Sequence, residues 1–103
     1  MPIPVQKLPQ ASADLIEIAD YIDADNPEAA KRFLAAAEAA FARLAALPSI
    51  GQSVPFSSPI AQGLRVWRVE GFEHYLIFYR TVGSSLEVVR VLHAARDFPT
   101  IFE

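Results

Sequence analysis

LRVWRVEGFEHYLIFYRTVGSSLEVVRVLHAARD, residues 64–97, is the stretch whose reading decides the fold. Its Val, Ile, Tyr, Phe and Trp residues suit a pleated surface, and turn-like breaks at Glu70 to Glu73 and at Gly83-Ser84-Ser85 divide it into three strands. Two hairpins follow, and with them an antiparallel meander. If each closes on a two-residue loop (Gly71-Phe72 and Gly83-Ser84), Trp67 lies beside Leu76, Phe78 beside Val89, Arg80 opposite Glu87 and His74 opposite His93. One face then carries Arg65, Trp67, Leu76, Phe78, Arg80, Val89, Val91 and His93. The other carries Val66, Ile77, Tyr79, Leu86, Val88 and Leu92. Both faces are largely apolar, so both need covering. A chain of 103 residues is expected to supply one cover and to leave the second to a partner.

Working outward, residues 3–8 alternate Ile3, Val5 and Lys7 between prolines, which reads as an edge strand. From Gln10 to Asp25, Leu15, Ile18, Ala19 and Ile22 recur at helical spacing, with Asp14, Glu17, Asp20 and Asp23 on other sides. Asn26-Pro27 caps and opens a second helix that carries Ala30, Phe33, Ala37, Phe41, Leu44 and Leu47 on one stripe and stops at Pro48. The two helices form an αα-hairpin. Residues 48–63 are rich in Pro, Gly and Ser yet carry Ile50, Val54, Phe56 and Ile60, so they read as an ordered loop across the core. The fold class expected is α+β in one domain spanning residues 1–103: an N-terminal edge strand, an αα-hairpin, then the three-stranded meander completing the sheet.

Composition narrows the function. The hydrophobic share of 52% exceeds what a monomer of this size needs and points to an interface. With no cysteine there is no disulfide, thiol nucleophile or Cys-bound metal, which fits a reducing cytoplasm. The N-terminus lacks the apolar run of a signal peptide, and no stretch reaches membrane-spanning length. Residues 1–63 hold four basic and seven acidic groups, whereas residues 64–103 are balanced. Neither half has the positive excess that binding to a phosphate backbone requires. The four glycines open no helix after a strand, so no phosphate loop is present. His74 and His93 are the only imidazoles, and neither a metal nor a cofactor is expected. Asp20, Asp23 and Asp25 read as a solvated helix face, and most of the arginines interleaved with Trp67, Tyr75, Phe78 and Tyr79 as ion-pair partners of Glu70, Glu73, Glu87 and Asp97. His93, at the end of the last strand, is the one candidate general acid or base.

The order of these parts, with DLIEIADYI followed by NPEAAKRF, Leu64-Arg65, Tyr79-Arg80 and Val91-Leu92-His93 with Arg96-Asp97, resembles the RelE/ParE toxins of type II toxin-antitoxin modules over nearly the whole chain. The resemblance implies a small α+β toxin covered by a cognate antitoxin, as a hetero-oligomer. Trp67, Leu76, Phe78, Val89 and Val91 of the sheet and Phe33 and Phe41 of the αα-hairpin are the residues expected at that contact. RelE-like members are ribosome-dependent mRNA endonucleases and strongly basic, and ParE-like members poison DNA gyrase. This chain is acidic, has Ala94 and Ala95 after His93, and ends on Phe98 and Phe102 in place of a reactive tyrosine. Those departures favour the ParE branch, with no catalytic residues and with Arg96, Phe98, Ile101 and Phe102 as target-binding candidates. Two alternatives stand beside it. One is an mRNA endonuclease using His93, Arg65, Arg68 and Arg96, and the other is a degenerate, non-toxic binding module.

Overall fold

The computed structural model describes residues 2–56 and 58–102. A strand β1 (Val5–Lys7) leads into helices α1 (Pro9–Asp23) and α2 (Pro27–Ala46), followed by a short strand β2 (Gln52–Ser53). The long strands β3 (Arg65–Val69), β4 (Phe72–Val82) and β5 (Ser85–His93) come next, and a five-residue helix α3 (Phe98–Phe102) closes the described chain. The sheet has five strands in the order β1-β5-β4-β3-β2. β1 runs parallel to β5 at one edge, and all other pairs are antiparallel. The α+β architecture read from sequence is therefore present, with β2 as an extra edge strand inside what reads as loop.

The helix boundaries follow their local chemistry. Pro9 and Pro27 each occupy a first-turn position where no amide donor is needed. The Asn26 side chain accepts the Ala29 amide at 3.1 Å, capping α2 directly after α1 has ended. The αα-hairpin lies on one face of the sheet. There Ala11 and Leu15 of α1 and Phe33, Ala37, Phe41 and Leu44 of α2 pack against Val69, Ile77, Tyr79, Leu86, Val88 and Val91. Each large apolar side chain so buried contributes about 1.5–3 kcal/mol relative to exposure.

Two irregularities displace the expected register. Val69 pairs with Phe72 across a tight Glu70-Gly71 turn, with Gly71 at φ +83°, and a bulge follows before Arg68 pairs with Leu76. Tyr79 pairs with Val88 but Phe78 with Arg90, so Val89 is an extra residue in β5. Arg80 opposite Glu87 stands as read, whereas Trp67 faces Ile77, Phe78 faces Arg90 and Tyr75 faces His93. A one-residue slip exchanges faces. Trp67 and Val91 consequently pack on the helix side, and Val66 and Leu92 join Leu76, Phe78 and Val89 on the other.

That other face is not left to a partner. Phe78, Val89 and Leu92 are buried beneath Phe102, Ala61 and Leu64, with Val54, Phe56, Phe98 and Ile101 packed around them. The rings of Phe98 and Phe102 lie 5.0 and 4.7 Å from that of Phe78. α3 and the segment after β2 thus supply the second cover that composition assigns to another chain. The bulge at Val89 and the apolar run of α3 are complementary, so the chain closes both faces itself.

Candidate functional site

Asp14 is the one buried charged residue among those described, at 5% exposure. It accepts the Nε and Nη2 of Arg90 at 2.7 and 2.9 Å and the Val91 amide at 3.0 Å, which rivets α1 to β5 just past the bulge. The hydrogen bond to Asp14 holds the Arg90 guanidinium above its ordinary pKa against the opposing effect of burial. Beside this pair, α1 and the end of β5 enclose a groove of about 350 Å³. Ile18 and Val91 supply apolar wall, and Glu17, Tyr21, Tyr75, His93 and Arg96 supply polar groups. Burial, then the neighbouring Tyr21, raises the Tyr75 phenol above its usual pKa. The His93 ring meets Tyr75 edge-on at 5.2 Å and stacks on His74 at 5.9 Å, so the two histidines are neighbours although they are not register partners. Its Nδ1 accepts the Ala95 amide at 3.0 Å, which leaves the proton of the neutral ring on Nε2.

The four residues expected to form a nuclease site do not come together. His93 and Arg96 share the groove. Arg65 pairs through Tyr79 to Val88, and Arg68 through Leu76 to Leu92. Both arginines therefore stand two strands from β5, about 10 Å across the sheet, and Arg65 lies a further ~15 Å along it from His93. Arg65 is also committed, its Nη1 donating to the Gly51 and Ser49 carbonyls at 2.7 and 3.4 Å. Arg68 is exposed with its guanidinium 5.0 Å from the Trp67 ring. Arg80 serves structure, bound to Glu87 at 3.1 Å and to the Ile60 and Gln62 carbonyls.

Of the seven residues expected at an antitoxin contact, five are covered by the chain itself. Phe33, Phe41 and Val91 lie in the core under the helices, and Phe78 and Val89 in the core under α3. Trp67 and Leu76 are half-buried and reach the surface. They line an open depression of about 490 Å³ with Ile50, Gln52, Val66 and Arg68. On the other side of Trp67, a second depression of about 450 Å³ is walled by Ala36, Ala39, Ala40 and Arg43 of α2. Of the target-binding candidates, Arg96 is exposed, Phe98 and Ile101 are half-buried, and Phe102 is buried at 1%. Sequence reasoning passed over Asp14, Tyr21, Tyr75 and the small residues Ala36, Ala39 and Ala40. Asp14 had a readable signal, because it sits three residues after Ala11 and four before Ile18, at the margin of the apolar stripe. Among the described residues no three His, Cys, Asp or Glu side chains gather as metal ligands, and no helix is long and apolar enough to cross a membrane.

Comparison with known proteins agrees with this architecture. A solved structure described as the chromosomal ParDE TA system from P. aeruginosa superposes with a TM-score of 0.73 at 21% identity, covering 88% of this chain and 95% of that one. No curated protein matches. The profile of the family described as the ParE toxin of type II toxin-antitoxin system, parDE, matches residues 5–98, from β1 to the first residue of α3. The chain belongs to the ParE toxin family.

Proposed function

We propose that this chain is the toxin of a type II toxin-antitoxin module, that it inhibits DNA gyrase, and that a cognate antitoxin neutralises it in the cytoplasm. The observation that carries the gyrase reading over the ribonuclease one is the separation of Arg65 and Arg68 from His93 and Arg96. Cleavage through a ribose 2′-hydroxyl needs base, acid and positive charge at a single phosphate. Groups two strands apart, one of them holding backbone carbonyls, do not supply that. For the antitoxin, the two depressions flanking Trp67 offer apolar and small-residue walls suited to a helix or an extended segment. The similar solved structure is described as a ParDE system, which supports an antitoxin partner and a hetero-oligomer.

The runner-up is an mRNA endonuclease. One observation favours it, the convergence of His93, Arg96, Tyr21 and Tyr75 on a single groove. Expression in the absence of antitoxin separates the readings. Growth arrest that persists in both His93→Ala and Arg65→Ala and is relieved by the neighbouring reading frame supports the gyrase toxin. Arrest abolished by His93→Ala with antitoxin binding intact supports the endonuclease. Unimpaired growth of the wild type means a non-toxic binding module.

A further inference from the structure

The groove between α1 and β5 has a satisfied inner end and an unspent mouth. At the inner end Asp14 and Arg90 bind each other, and behind the hydrogen bond and charge of Asp14 the Glu17 carboxylate also favours the charged Arg90. His93 is a wall, with its Nδ1 on the Ala95 amide and its ring against Tyr75 and His74. Arg96 at the mouth has no carboxylate within 4 Å among the described residues. Its neighbour Asp97 turns to the Thr100 hydroxyl at 2.7 Å. Of the C-terminal residues expected at a target, Arg96 is the one that the packing of α3 leaves exposed. Across from it Tyr21 stands 75% exposed on α1. A ring so exposed adds nothing to the core, and Tyr and Arg are the residue types that anchor protein interfaces.

Charge selects the occupant. The guanidinium and the phenol hydroxyl are donors suited to a single carboxylate, and Ile18 gives an apolar step beside them. A nucleic-acid strand would bring a row of phosphates against the outward Glu17, Asp20 and Asp23 of α1, whereas a protein segment with one acidic residue avoids that repulsion. The groove is also apart from the depressions that suit an antitoxin. Trp67 pairs through Ile77 to Val91, which puts it two strands, about 10 Å, from the β5 wall of the groove.

We propose that Tyr21 and Arg96 are the anchors that hold the protein target: Arg96 binds a carboxylate of an extended target segment, and the Tyr21 ring packs an apolar side chain of that segment against Ile18. This rests on the reading of the chain as a toxin that binds gyrase, and it assigns target and antitoxin to different surfaces.

A supercoiling titration with purified gyrase tests it, run on the wild type, Tyr21→Ala, Arg96→Glu and Arg96→Lys, with Arg32→Glu, at an exposed position of α2, as the control for net charge. Tyr21→Ala and Arg96→Glu are expected to raise the concentration for half-inhibition about tenfold or more, the effect of losing an interface anchor. Arg96→Lys, which keeps the charge, should lose less than Arg96→Glu, and Arg32→Glu should match the wild type. Affinity for the antitoxin from the neighbouring reading frame should be unchanged in all four, which also shows that they fold. Undiminished inhibition by Tyr21→Ala or Arg96→Glu overturns the assignment. So does an equal loss in Arg32→Glu or Arg96→Lys, or a parallel loss of antitoxin affinity. A wild type that leaves supercoiling untouched overturns the gyrase reading itself and this assignment with it. Cutting of ribosome-bound mRNA that is lost in Arg96→Glu would give the groove to RNA.

Discussion

Two residues carry more of this structure than their neighbours in the chain suggest. Asp14 satisfies its buried carboxylate with three donors from β5, and removing it strands Arg90. Asp14→Ala is expected to cost about 3 kcal/mol, at the low end for a broken buried pair because Arg90 retains a path to water, and denaturant unfolding measures it. Gly51 is the second. Its amide donates to the Tyr79 hydroxyl at 2.9 Å, and that hydroxyl donates to the Pro48 carbonyl at 2.7 Å. A Cβ at position 51 would lie 2.5 Å from that same hydroxyl and 2.8 Å from the Val66 carbonyl. Gly51→Ala should therefore destabilise by about 1–3 kcal/mol, read as a fall in Tm. Burial also raises the Tyr79 phenol above its usual range, outweighing the Gly51 amide and Arg65, which lower it. A raised phenol means the native state keeps a proton that the unfolded chain loses above about pH 10, so stability is present below that pH and drains above it. Tyr79→Phe should show a shallower alkaline loss of stability than the wild type. An identical alkaline profile would remove Tyr79 from the account.

At the scale of elements, the helices were the legible part. Asn26-Pro27 marks the joint between α1 and α2 because both residues act through local backbone chemistry, and the structure places the cap there. Strand identity was legible for the same reason, since the hairpin at Gly83-Ser84 and the Arg80–Glu87 pair depend on near neighbours. Register beyond the turns was not. The extra residue at Val89 obeys no local signal, because Val88 and Val89 have the same β preference, and only tertiary packing of one under the helices and the other under α3 tells them apart. The second cover was hidden likewise: five residues with three large apolar side chains do not announce which surface they will close. Phe102 is the keystone of that cover, in contact range of both Phe78 and Phe56. Phe102→Ala should destabilise by about 3 kcal/mol and raise binding of a hydrophobic dye, whereas an unchanged unfolding curve would mean that α3 does not close the core.

For the whole molecule, the apolar surplus has a different meaning once the fold is known. Much of it is consumed within the chain, in two cores on opposite faces of one sheet. What remains outside is dispersed, with Val5, Ile16, Tyr21, Leu34, Leu47, Ile60 and Val82 the large exposed apolar side chains among the described residues. The case for a partner accordingly shifts from an uncovered sheet to the depressions around Trp67 and Arg68 and the groove between α1 and β5. The candidate site was only partly legible for the same reason. His93 and Arg96 are close in sequence and meet in space, while Arg65 and Arg68 are held apart from them by the width of β4. That separation is the ground on which the proposed function favours binding over RNA cleavage for this member of the ParE toxin family. The direct measurement is a DNA supercoiling reaction with purified gyrase, titrated with this chain, beside a ribosome-bound mRNA cleavage reaction. The account predicts loss of supercoiling that the cognate antitoxin restores, with the mRNA intact. Undiminished supercoiling together with cut mRNA would contradict it.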